Sequence, residues 1–337
     1  MTTNEKRGAA ARKHHYVPQF YLRGFADNKG QLLVTDRPSE KTFRTDPKNV
    51  AAQRDFNTIA VEGVDPQGVE KGLAEFEGKV APALEWIKAT KSLSVEEDRN
   101  LLMSFICGLA IRNPRQRATI NDFVGEIAQT VVETALATKE RWDSQVARMK
   151  ADGVWDESTN VTFEDMQRFV KERKYTINVA KEFNIGVEIE QHQRLLEHIA
   201  ARKWQMVIAK QGSDGFVTTD VPICLRWSDD HDHGMFGPGF GVAGTQVIFA
   251  LSSDLVIMGS FEGNDDIVEV DLFTVGDINS IIISNARNQV YSRDSSFNYM
   301  RPFPEEIGSG ATLNQDKAFL AAGNAKVDKI VQLGARQ

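Results

Sequence analysis

The hydrophobic pattern changes period along the chain, and that change limits the possible folds more than any other feature. Between about residues 66 and 202 apolar side chains recur at three- and four-residue steps. Leu73, Phe76, Val80, Leu84 and Ile87 mark one amphipathic helix, over about 69–87. Leu101, Leu102, Phe105, Ile106 and Leu109 mark the next, with Ser94 and Glu97 as its capping box. Pro114 removes a backbone donor and clashes with the preceding turn, so this helix should end or kink there. A third, long helix is predicted from Arg115 to Met149, with a break at Asp152-Gly153. Two more follow, at about 163–173 and 188–201. After residue 203 the pattern becomes short apolar runs between Gly, Asp and Ser, at Trp204–Ala209, Gly215–Thr219, Val247–Ala250 and Leu255–Met258. Helical spacing returns at 271–288, and a strand is predicted at Asn288–Ser292.

At the other end, Gln31–Asp36 reads as a strand after the turn Asp27-Asn28-Lys29-Gly30, and Lys41–Arg44 would complete a hairpin. The fold class expected is therefore α+β: an N-terminal β-hairpin segment, a central helical lobe and a C-terminal mostly antiparallel sheet with a packed helix. The expected divisions are a flexible basic arm (1–12), a β segment packing on the C-terminal sheet (13–65), the helical lobe (66–202), the sheet region (203–300) and a tail (301–337). With 337 residues and 41% hydrophobic content, a sizeable core can be buried. Two cysteines, Cys107 and Cys224, exclude a disulfide scaffold and a Cys-only zinc site. No run of apolar residues is long enough to span a membrane, and the basic N-terminus lacks a signal-peptide core. A soluble, cytoplasmic protein is expected.

Charge narrows the partners. The net charge is −7, yet residues 1–55 carry 11 Lys/Arg against 6 Asp/Glu. Residues 211–270 hold Arg226 as their single basic residue and ten acidic ones. A positive field over the whole surface is excluded, and with it a nucleic-acid coat. A local anion site walled by the N-terminal segment remains open.

Four segments could carry chemistry. In Lys13-His14-His15-Tyr16-Val17-Pro18 adjacent histidines point to opposite faces of an extended strand. His14 or His15 could serve as general base, or both could satisfy core hydrogen bonds in an aromatic plug. Arg112, Arg115 and Arg117 flank Pro114 and could grip phosphate with their forked donors, or form a solvated helix end. Asp220, in Thr218-Thr219-Asp220-Val221-Pro222, could orient a histidine, hold a metal or cap a turn. His231, Asp232 and His233 form a His-x-His pattern among acids and are the candidates for a divalent metal, unless that loop is simply solvated. His192 and His198 lie six apart on one helix, on roughly opposite faces, a poor metal pair. The dinucleotide, P-loop, nucleophile-elbow and zincin motifs are absent, and Gly237-Pro238-Gly239-Phe240-Gly241 lacks a strand-to-helix context.

The run His14-His15-Tyr16-Val17-Pro18-Gln19-Phe20-Tyr21-Leu22-Arg23-Gly24-Phe25-Ala26 resembles the opening of the domain-of-unknown-function family 4238. The resemblance continues through Asn49-Val50-Ala51, Asp55-Phe56, Arg112…Pro114…Arg117, Thr218–Pro222, Phe249–Ser252, Asn279…Asn285-Ala286 and Val290-Tyr291. Asn57 departs from it, standing where a Tyr is expected. The resemblance implies a bacterial protein, in some members an anti-phage defence effector, that damages nucleic acid or nucleotides. The opening run is also faintly similar to the His-x-x-Pro segment of HNH nucleases, without that motif's downstream metal ligand. These features together lead to an expected phosphodiester hydrolase. His14 or His15 would be its base, Asp220 would orient a histidine or bind metal, and the three arginines would neutralise phosphate. Tyr16, Asn279 and Asn285 would supply polar contacts. The alternative is a non-catalytic sensor of an anionic ligand or a phage protein. A purely protein-binding role, through the acidic 211–270 surface, is a third reading.

Overall fold

The computed structural model describes residues 13–156, 158, 160–173, 175–228, 237–302 and 305–322. Its strands and helices form an α+β fold. In chain order they are β1 (Lys13–His15), α1 (Gln19–Leu22), β2 (Leu32–Asp36), β3 (Lys41–Thr45), β4 (Ala52–Arg54), α2 (Gly68–Thr90) and α3 (Glu96–Ile111). Then come α4 (Pro114–Ala135), α5 (Lys139–Ala151), α6 (Phe163–Lys171), α7 (Lys181–Ala200), β5 (Lys203–Ala209), β6 (Thr218–Thr219) and β7 (Cys224–Trp227). Last are β8 (Thr245–Ser252), β9 (Leu255–Ser260), β10 (Ile267–Val270), α8 (Leu272–Asn285), β11 (Gln289–Ser292), β12 (Asn298–Pro302), β13 (Glu305–Ser309) and α9 (Lys317–Ala322). No helix among the described residues is long and apolar enough to cross a membrane.

The chain divides into two compact units, one of residues 1–113 and 187–337 and one of 114–186. In the first, a five-stranded sheet runs in the order β10-β5-β9-β8-β7. Its pairings are antiparallel except β10 with β5, which is parallel. A four-stranded sheet runs β3-β2-β11-β6, so the N-terminal hairpin is completed by strands from the far end of the chain. Every residue of β8 except Gln246 is buried, which explains its unbroken apolar run where a half-exposed strand would alternate. Gly215 is required by close approach: its φ is +81° and a Cβ there would stand 2.5 Å from the Ser253 carbonyl oxygen.

Helix α2 buries Val80, Ala83, Leu84 and Ile87, one face at helical spacing. Val80, Leu84 and Ile87 each contribute about 1.5–3 kcal/mol relative to exposure. Pro82 lies inside α2, whereas Pro114 opens α4 at the position where a missing N–H costs least. Helix α3 begins at Glu96, later than the capping box places it. Its cap residue Val95 gives no side-chain bond, while the Ser92 hydroxyl takes the Ser94 amide and Glu96, Glu97 and Asp98 complement the dipole.

In the second unit the single helix predicted over 115–149 is two. Thr138 Oγ1 accepts from the Arg141 amide, 3.3 Å, so a new helix is capped inside an unbroken helical period. Within this unit Gln167 Nε2 donates to the Leu136 carbonyl, 3.4 Å, and Asn184 Nδ2 to Asn121 Oδ1, 2.8 Å. Strands β12 and β13 pair antiparallel at the start of the tail.

Candidate functional site

Strand β1 is held by β4, with His14 opposite Gln53 and His15 opposite Ala52. Alternation turns His14 fully inward and leaves His15 half-buried. His14 Nδ1 accepts the Asn57 amide at 2.9 Å, so its proton sits on Nε2 when neutral. Asn57 Nδ2 in turn donates to Glu70 Oε2, 2.7 Å, and that oxygen lies 3.5 Å from His14 Nδ1. His15 Nε2 faces the Lys48 carbonyl at 3.2 Å and Nδ1 faces Gln19 Nε2 at 3.5 Å. Burial pulls the His15 pKa down, helped by Lys13 and opposed by the Lys48 carbonyl and Glu70, so its imidazole is neutral at physiological pH.

Arg112 caps the C-terminus of α3, where Asn113 Nδ2 closes the last turn by donating to the Leu109 and Ala110 carbonyls. Arg112 is buried; Nη1 donates to the His15 carbonyl at 3.4 Å and Nη2 stands 3.9 Å from Glu77 Oε1. Glu77 projects from α2 seven residues after Glu70, hence on the same face. Burial pushes the Glu77 carboxyl up to about 7, against the pull of Arg112 and with a small push from Glu70. From α7, His192 Nε2 meets Ser104 Oγ of α3 at 2.9 Å. Its pKa is lowered by burial and then by Arg112. Two histidines, an arginine and a carboxyl poised near neutrality thus converge from β1, α2, α3 and α7. Titratable groups with shifted pKa values gathered in this way mark candidate chemistry.

The remaining expected residues are placed elsewhere. Asp220 is 2% exposed and accepts the Arg287 amide at 2.9 Å and the Asn288 amide at 2.8 Å, bracing the turn between α8 and β11. Burial holds its pKa up, while these amides and Arg37 work against that. Of the opening run it is Tyr16 that lies within electrostatic reach of Asp220. Burial and then that charge push the Tyr16 phenol well above its usual range. Tyr291 is raised in the same way, by burial and then by Asp220 and Tyr16. Asn279 is fully engaged, accepting from the Val217 amide and donating to the Gly215 and Asn298 carbonyls, all within 3.1 Å. Asn285 Nδ2 donates to the Val221 and Ile223 carbonyls, 2.7 and 2.9 Å, clasping the Pro222 bend to α8. Arg115 and Arg117 sit on the first turn of α4 in the second unit, Arg117 buried and Arg115 partly so. His231, Asp232 and His233 lie outside the described residues. Among the described residues no group of three or more His, Cys, Asp or Glu side chains is placed to hold a metal ion.

Sequence reasoning did not find Glu70, Glu77 or Ser104, and weighed His192 only against His198. The available signal was the heptad spacing of Glu70 and Glu77 on one helix face.

A family model described as "Protein of unknown function (DUF4238)" matches residues 13–296 of the chain. Comparison with curated proteins and with solved structures gave no match.

Proposed function

The chain belongs to this family of proteins of unknown function, and we propose from its own site that it hydrolyses phosphodiester bonds of nucleic acid or nucleotides. The observation that carries this reading is the buried Arg112 guanidinium between the His15 carbonyl and the Glu77 carboxylate. An arginine so placed supplies fixed positive charge to a transition state on phosphorus. His15, neutral at pH 7, accepts the proton of the attacking water at Nδ1. Glu77, still half protonated at that pH, returns a proton to the leaving oxygen. His14, Asn57 and Glu70 hold the β1 backbone that carries His15. The proposal extends to a cytoplasmic role as an anti-phage defence effector. It leaves open a divalent metal at His231, Asp232 and His233.

The test is a cleavage screen of the purified full chain on labelled RNA, single- and double-stranded DNA, ATP and NAD, with and without EDTA. Wild type should cut one class, and Glu77→Gln and Arg112→Gln should each lower kcat about 100-fold while the protein stays folded. Equal cleavage by wild type and both folded variants would overturn the reading.

A second reading, a sensor that binds an anionic ligand without turnover, is favoured by the backbone bond that occupies His14 Nδ1. It predicts salt-sensitive binding of an oligonucleotide that needs Arg112 but not Glu77.

A further inference from the structure

Ser104 is the residue of this region that phosphodiester hydrolysis does not use. It sits in the middle of α3, partly buried, with its hydroxyl 2.9 Å from His192 Nε2. It also lines a groove of about 1200 Å³ between α2 and α3. The groove wall is apolar at Phe76, Pro82, Trp86 and Leu101. Asn100 stands one helical turn before Ser104 on the same groove, and Lys79 faces it from α2. Three carboxylates, Glu96, Glu97 and Asp98, close the end formed by the first turn of α3.

We propose that Ser104 and His192 form a nucleophile–base pair that hydrolyses carboxylic esters with an apolar acyl group held in the α2–α3 groove. The three carboxylates repel a polyanion, so the groove selects an uncharged or cationic ester over a phosphodiester. Ser104 Oγ attacks the ester carbonyl carbon, and its proton passes to His192 Nε2. The oxyanion formed is met by Asn100 Nδ2 and Lys79 Nζ. Its collapse breaks the bond to the alcohol, which leaves with the proton from His192. Water, deprotonated by the same nitrogen, then attacks the acyl-serine, releasing the acid and restoring the hydroxyl. Burial and the nearby Arg112 charge keep His192 neutral, as a base must be. This inference stands apart from phosphodiester cleavage and does not require it.

The experiment treats the folded full chain near neutral pH with a fluorescent alkyl fluorophosphonate and follows p-nitrophenyl butyrate turnover in parallel. Peptide mass mapping should place one adduct per chain on Ser104. Ser104→Ala should abolish it, and His192→Gln should slow both labelling and turnover about 100-fold. Should Ser104→Ala fail to fold, Ser104→Cys keeps a nucleophile of nearly the same size. Its thiol should react with iodoacetamide, while the buried Cys107 and Cys224 stay inert, and that reaction should slow in the double variant with His192→Gln. No adduct on wild type, an adduct elsewhere, or labelling indifferent to His192 would overturn the proposal.

Discussion

Two acidic side chains in the first unit, Asp220 and Glu77, are both pushed toward protonation by burial, yet their surroundings differ. Asp220 lies at the end of β6 with two backbone amides pointing at its oxygens. Glu77 lies mid-helix on α2, and among the described residues its charge partner is the Arg112 guanidinium at 3.9 Å, with no backbone amide donating to it. A carboxylate saturated by main-chain donors is part of the scaffold, because removing it orphans those donors. A carboxyl left with one loose cation and a pKa near 7 is available for proton transfer. Of these two acids, the one with fewer fixed partners is the one to test for chemistry.

The largest expected effect breaks the Asp220 side. Asp220→Ala should lose roughly 2–4 kcal/mol, since two part-buried main-chain amides lose their buried acceptor. Urea unfolding reads this, and a loss under 1 kcal/mol would remove Asp220 from the scaffold. Glu77→Gln should do the converse, costing activity about 100-fold, with little change in the midpoint below about pH 4.5, where the wild-type side chain is also protonated. The same variant has a pH signature. With its folded pKa raised from 4.5 to about 7, Glu77 lets the folded state hold more protons. The stability this gives is complete below about pH 4.5 and is lost as pH rises to about 7, by at most about 3 kcal/mol. Glu77→Gln should flatten that slope, and an unchanged slope would refute the assignment. His192 works in the opposite sense: its folded pKa is lowered from 6.5, so stability present above that pH is lost on acidification. His192→Gln should remove part of the acid sensitivity below pH 6.5, measured by melting temperature against pH. The smallest effect lies outside the comparison, where Thr138→Ala should cost about 1 kcal/mol and leave Asp220 and Glu77 untouched.

Much of the architecture was legible because it follows from period. Helices α2 and α3 came from the 3.6-residue spacing of one buried face, and the strands of the C-terminal sheet and the N-terminal hairpin from short runs beside turn residues. The split between α4 and α5 was not legible, because Thr138 caps a helix within a pattern that never loses its 3.6-residue period. The site was harder. His14 and His15 were found because paired histidines stand out in a strand, whereas Glu77 resembles any solvated helix glutamate until α3 brings Arg112 against it. Asp220 stood out as an acid at a strand end, with histidine orientation, metal binding and turn capping all open, because its partners, the amides of residues 287 and 288, are invisible in a side-chain pattern. Ser104 and His192 are 88 positions apart, and no spacing rule connects them.

The sheet order β3-β2-β11-β6 also sets a timetable for making the protein. The bond from Gln289 to Asp36 spans 253 positions. At a synthesis rate of about 5–20 residues per second, β2 therefore waits roughly 10–50 s for the strand that covers its open edge. During that interval Leu32, Leu33 and Val34, buried in the finished protein, line a strand with one unpaired edge on a growing chain. That exposed stretch is where a holdase chaperone would bind nascent copies, and where crowded ones would stick to each other.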